Sequence, residues 1–132
     1  LAMIAVNEER LERAVELFGK ALTIRPTFAE ARRFRAVLLA RLQQFSEAIS
    51  EINTALQSGP KSGATLYAAA CVTSLASEHA TTPVAKQQAQ QESLRFLRQA
   101  LEQGYGQQAA TDADLAGLRQ HPEFEKLLLQ GH

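Results

Sequence analysis

Small and bulky apolar residues recur along the first half of the chain at one fixed spacing. Ala14, Phe18, Ala21 and Pro26 stand in the order A-x3-F-x2-A-x4-P. Ala48, Ile52, Ala55 and Pro60 repeat that order 34 residues later. No stretch alternates apolar and polar residues like a strand, so a period of this size predicts stacked helical hairpins. Each hairpin leaves one apolar side for its neighbour to cover. The alanines suit places where two helix backbones approach closely, and Phe18 or Ile52 fills the groove beside them. Pro26 and Pro60 end one hairpin and open the next, because proline cannot continue a helix and holds its predecessor away from helical geometry.

Taken in order, Leu1 to about Glu8 reads as the end of a first helix, which makes the first hairpin a truncated one with further sequence expected upstream. Its partner helix is predicted over about Leu11 to Ile24, with Leu11, Ala14, Val15, Phe18, Ala21 and Leu22 on one stripe. Thr27 and Glu30 have the spacing of a capping box that starts a helix over about Phe28 to Gln43. Ser46 is the expected cap of the next helix, which ends near Gly59-Pro60. Ser62 begins a third unit whose first helix reaches about Ser77. There the period breaks: Thr82 lies 34 residues after Ala48 but in a polar turn, and the pattern returns as Ser93, Leu97 and Ala100. Thr82-Pro83 is an N-cap followed by proline at the first helical position. One long helix is therefore predicted over about Pro83 to Gln103, stopped by Gly104, with its polar first half projecting past the hairpin as a solvated extension. Gly104 to Ala110 is a loop. Thr111 is the expected cap of a short helix from Asp112 to about Gln120, and Pro122 opens another to about Gln130. Leu115, Leu118, Phe124, Leu127 and Leu128 would cover the open end of the stack. The predicted organisation is repeats over 1–103 (units 1–26, 27–60 and 61–103) and a capping segment over 104–132, in an all-α solenoid.

Composition narrows the function. The 132 residues are 45% apolar and 21% charged, with zero formal net charge, one cysteine and no tryptophan. That length suits one domain. Zero net charge supplies no global field for nucleic acid or an anionic membrane. A lone Cys71 permits no internal disulfide. No apolar run approaches the ~20 residues of a membrane span. No signal peptide is apparent, although the missing start methionine leaves room for a removed leader, and Gly131-His132 reads as the remnant of a tag. A cytoplasmic location is expected.

The repeated residues resemble the second helix of the tetratricopeptide repeat, a unit of 34 residues. The resemblance covers Leu1 to about Leu101, with Arg32 and Leu66 at the family's large position early in the first helix, and Phe45 at the aromatic opening the second. L-Y-A-A-A-C-V from Leu66, A-L-E-Q-G-Y from Ala100 and D-A-D-L-A-G-L-R-Q-H-P-E-F from Asp112 look like the closing segment of bacterial arrays of this family. Such arrays, notably in planctomycetes, often follow a serine/threonine protein kinase domain. The resemblance implies a right-handed superhelix whose first helices line a concave groove, and a scaffold that binds a protein or peptide there. The residues that would face the groove are Met3, Asn7, Glu30, Arg33, Val37, Ala40, Arg41, Tyr67, Cys71 and Ser74. Val37 and Cys71 stand where the subclass that grips chaperone C-termini needs asparagine or its equivalents, which argues against that ligand.

Nothing in the chain demands an enzyme. There is no glycine-rich phosphate loop, no H-R-D run and no D-F-G. His79, His121 and His132 lack metal-ligand spacing. Asp112, Asp114, Glu123 and Glu125 are explained by capping and the helix dipole. Cys71 has no histidine near enough to act as its base and reads as a small apolar residue. Neither a cofactor nor a metal is expected. Arg33 and Arg41 either hold an acidic peptide or phosphate or pair with carboxylates on adjacent helices, the commoner role of such residues. Arg25, Arg32 and Arg35 complete a basic cluster, but on their helix Arg32, Arg33 and Arg35 point in different directions at ~100° per residue, and no stacking aromatics accompany them, so nucleic acid is not the expected partner. Leu1 to Val6 is a candidate face for self-association.

Overall fold

The computed structural model describes residues 2–58 and 61–130, and the side chains from Asn7 onward within them. The elements are α1 (Ala2–Ile24), α2 (Ala29–Arg41), α3 (Phe45–Gln57), α4 (Gly63–Glu78), α5 (Pro83–Glu102), a 3-10 turn (Ala113–Leu118) and α6 (Pro122–Gln130). Every described element is helical, and none is long and apolar enough to cross a membrane.

The helices stack as the period requires. α1 packs on α2, α2 on α3, both on α4, and α4 on α5. One apolar cluster joins α2, α3 and α4 through Ala36, Leu39, Ala48, Ile52, Ala69 and Val72. A second joins α4 and α5 to the C-terminal segment through Leu66, Ala70, Leu97, Leu115, Leu118 and Phe124. α4 belongs to both clusters, and 13 of its 16 residues are buried. Between α4 and α5, Ser93 takes the small-residue position of the repeat, and its hydroxyl donates to the Ala70 carbonyl at 2.6 Å.

Several local expectations are met. Ser62 accepts from the Thr65 N–H at 3.1 Å and starts α4. Thr82 accepts from the Ala85 N–H at 3.1 Å, with Pro83 in the first turn of α5. Gly104, at φ +78°, ends α5 with two backbone bonds, Tyr105 N–H to Ala100 O and Gly104 N–H to Leu101 O. This is the left-handed stop that glycine makes cheaply.

Others are corrected. α1 runs unbroken where a turn was expected between Glu8 and Leu11. Glu-Glu-Arg-Leu are strong helix formers, and no glycine or proline interrupts them, so the first unit contributes one long helix and not a truncated hairpin. Thr27 does not cap α2: Phe28 holds that position without a side-chain bond. The turn is held instead by Arg32 Nη2 on the Pro26 carbonyl at 3.1 Å and by the Arg25 guanidinium over the Phe28 ring. Ser46 does not cap α3; Gln44 holds that position, again without a side-chain bond. The preceding stop uses Gln43 at φ +63° where α5 uses glycine. Asp112, not Thr111, caps the segment that follows the loop, accepting from the Asp114 N–H at 2.9 Å. That segment is a 3-10 turn shorter than the expected helix. Gly59-Pro60, the side chains of Leu1 to Val6 and Gly131-His132 lie outside the described residues.

Candidate functional site: a groove closed by the C-terminal segment

The 3.6-residue period puts Phe34, Val37 and Arg41 on one face of α2, with Arg33 one turn before Val37 on its flank. It puts Ala64, Tyr67, Ala68 and Cys71 on one face of α4 in the same way. These two faces and the C-terminal segment enclose a groove of about 230 Å³, whose far wall is Tyr105, Gln108, Asp112 and Asp114. Gly63 lets that wall come close: a Cβ at residue 63 would stand 2.7 Å from the Tyr105 Cβ. The Tyr105 ring then meets Tyr67 edge-on, with centroids 5.5 Å apart.

Five of the residues expected to face the groove come together in it: Arg33, Val37, Arg41, Tyr67 and Cys71. Three do not. Asn7 is exposed on α1, which the fold makes part of a second-helix position and not of the groove wall. Glu30 is exposed in the first turn of α2, outside the groove lining. Ser74 is wholly buried, its hydroxyl without a hydrogen-bond partner among the described residues. The 3-10 turn covers that part of α4, so closely that a Cβ at Gly117 would stand 2.8 Å from the Ser74 carbonyl oxygen. Ala40 is likewise buried, and the side chain of Met3 lies outside the described residues.

The C-terminal segment takes up much of the groove's polar chemistry. Arg41 grips Asp114 with two bonds, Nε to Oδ1 at 2.9 Å and Nη2 to Oδ2 at 2.7 Å. The Tyr67 hydroxyl donates to Asp112 Oδ2 at 2.7 Å. The other Asp112 oxygen caps the 3-10 turn. Nearby, Arg32 and Arg35 share Glu51 at 3.0 and 3.1 Å. Arg33 differs from its neighbours: among the described residues it is half-buried and pairs with no carboxylate.

The same neighbours set the titration behaviour of the groove. Burial, with Asp112 and Asp114 adding to it, pushes the Cys71 thiol well above its ordinary range, and Arg41 offsets only part of this. A protonated thiol is a poor nucleophile. Burial and the bond to Asp112 push the Tyr67 phenol up as well. The bond to Asp114 outweighs burial and holds the Arg41 guanidinium charged. The Cys71 sulfur and one oxygen each of Asp112 and Asp114 lie within 4.8 Å of one another. This donor set does not fit a cation, because both Asp114 oxygens already accept from a guanidinium that a metal ion would have to displace.

Sequence reasoning missed Phe34, Ala64, Ala68, Tyr105, Gln108, Asp112 and Asp114 as groove residues. The two aspartates carried a helix-start signal that Asp112 obeys. Nothing local announces that Asp114 meets an arginine 73 residues earlier. The polar half of α5 is also less idle than its composition suggests, for Gln90 Nε2 donates to the Gly117 carbonyl at 3.0 Å and helps seat the 3-10 turn.

In comparisons with known proteins, the tetratricopeptide repeat family model matches residues 5–70. No curated protein and no solved structure matches the chain.

Proposed function

Because the chain belongs to the tetratricopeptide repeat family, whose members generally mediate protein–protein interaction and are typically non-catalytic, we propose that it is a non-catalytic interaction module whose partner lays a peptide segment in the groove between α2, α4 and the C-terminal segment. The observation that carries this reading is the groove itself. It is an open trough between two first-helix faces, lined by the small apolar residues Ala64 and Ala68 and by the aromatic side chains of Phe34 and Tyr105. Phe34 and Tyr105 are 48% and 40% exposed, too much for residues spent only on the core. An extended or helical segment can bury them, as peptide-binding grooves commonly do. The same groove serves a partner in trans or a segment of a larger parent chain, such as the kinase that the C-terminal resemblance implies.

Capture from a lysate of the source cells, compared with Ala64→Trp, tests this. Ala64 is half-buried at the first turn of α4, so the larger ring fills the groove with little change to the core. A partner held by the natural chain and lost with Ala64→Trp fits the groove. One held equally by both moves the site to another surface. Arg41 is not a suitable control, since replacing it frees the buried Asp114 carboxylate.

A further inference from the structure

A count of charges and their partners within the groove says more about the partner. The groove presents two guanidinium groups and two carboxylates. Each of the four carboxylate oxygens already accepts one bond: two from Arg41, one from the Tyr67 hydroxyl and one from the Asp114 N–H. Arg41 has spent its Nε and one Nη in the same way. Arg33 has spent nothing among the described residues, and it stands on the α2 wall next to exposed Phe34. The C-terminal segment has thus taken up Arg41 with the chain's own acids, leaving that end of the groove with one more carboxylate than guanidinium, and has left Arg33 uncommitted among the described residues. A guanidinium without a counter-ion is open to one, and a carboxylate gives it two short charge-assisted bonds. A basic side chain placed beside Phe34 would meet Arg33 as a like charge.

We propose that the groove takes a protein segment with an acidic side chain next to an aliphatic or aromatic one, the carboxylate on Arg33 and the apolar group between Phe34, Tyr105 and the Ala64–Ala68 floor. This rests on the groove reading above and adds the chemistry of the occupant. The recognised carboxylate belongs to a side chain within the segment. The acid-lined end of the groove, where Asp112 and Asp114 sit, repels a chain-terminal carboxylate.

The test is a positional-scanning array of synthetic decapeptides probed with the purified chain, followed by solution titration of the best binders. The expected result is selection of Asp or Glu beside Leu, Met or Phe, and about tenfold weaker binding when the acid becomes Gln or Asn. Binding should weaken with added salt. Arg33→Lys should keep the acidic preference, and Arg33→Glu should turn it to Lys or Arg, a change of sign that loss of structure cannot produce. Thermal melts of each variant show that the fold is intact. Peptides that bind, are blocked by Ala64→Trp and show no acidic preference, or none that Arg33→Glu inverts, overturn this inference and leave the groove reading standing. Peptides that bind regardless of Ala64→Trp overturn the groove reading. An array with no binders overturns both.

Discussion

The same repeat positions occur three times in this chain and are buried to three different degrees. In α1, Ala14, Phe18 and Ala21 are only half-buried. In α3, Ala48 and Ile52 are buried and Ala55 is half-buried. In α5, Ser93, Leu97 and Ala100 are all at 0% exposure. Local sequence does not explain the gradient, because the three sets are of similar size and polarity. Position in the stack does. α1 has α2 on one side, whereas α5 is closed in by α4, the 3-10 turn and α6. In a solenoid, stability is the sum of a unit's own contribution and its contacts with neighbours. The C-terminal end is therefore the stable half, and α1 is the element expected to open first.

The largest effect follows from the most enclosed copy. Leu97→Ala should destabilise the chain by about 2–5 kcal/mol, in the range of a buried leucine truncation, while Phe18→Ala at the matching position in α1 should lose less than half of that. Urea titrations of both variants, followed by helical circular dichroism, check the difference. Equal losses would mean that burial does not set the gradient.

A second comparison concerns the cap. Arg41→Ala should lose about 2 kcal/mol, because Asp114 is then left buried without its charged donor. The side chain of Arg41 is 44% exposed, so water will make up part of the loss and the figure stays below that of a fully buried pair. A double-mutant cycle with Asp114→Asn isolates the pair, and additive losses would show that the two groups act separately.

High pH should act on the C-terminal half in particular. The Cys71 thiol and the Tyr67 phenol both lose protons less readily in the folded chain than their ordinary values of 9.0 and 10.0. Below those values both groups are protonated in the folded and unfolded chain alike, and their contribution to stability is fully present. As pH rises past 9 and then 10, the unfolded chain releases protons that the folded chain retains, and stability falls. Melting temperatures measured from pH 7 to 11 should therefore decline above about pH 9. Cys71→Ala should remove the earlier part of the decline. A decline unchanged by that substitution would place its origin elsewhere.

Two smaller effects sharpen the comparison of helix ends. Gln43 and Gly104 make the same stop with the same left-handed backbone, but only Gly104 does so without a Cβ. Gln43→Gly should stabilise the chain by about 1 kcal/mol, and a lower melting temperature would show that the Gln43 side chain has a role of its own. The smallest change is predicted for Leu17→Ala, within about 0.5 kcal/mol, since Leu17 is 58% exposed on α1.

Much of the fold was legible before any coordinates, and for local reasons. Ser62, Thr82-Pro83 and Gly104 carry their structural instruction within three or four residues, and the helix ends they mark are found. The failures were local instructions overruled or misread. Thr27 and Ser46 had the right chemistry for caps, but the arginine contacts at Pro26 and Phe28 and the stop at Gln43 set those turns. The break expected after Glu8 came from laying the family's period onto a stretch whose own residues favour one helix. In the groove, Arg33, Val37, Arg41, Tyr67 and Cys71 could be chosen in advance because the family resemblance implies which side of each first helix faces the groove. Ser74 lies one turn past Cys71 on α4, and no periodicity shows that the 3-10 turn will cover it.

By itself, the sequence determined which segments are helices, where most of them stop, and that they stack with a 34-residue repeat, because these follow from spacing, propensity and caps within reach of a few residues. Only the tertiary structure decided which of the groove residues are available. Arg41 and Arg33 are the same residue type on the same helix, eight positions apart. One is held by an aspartate 73 residues away and the other is free among the described residues, because the C-terminal segment folds back over one end of the groove and not the other. A charge's role depends on what the fold brings to it, and that pairing is long-range in the chain even where it is short in space.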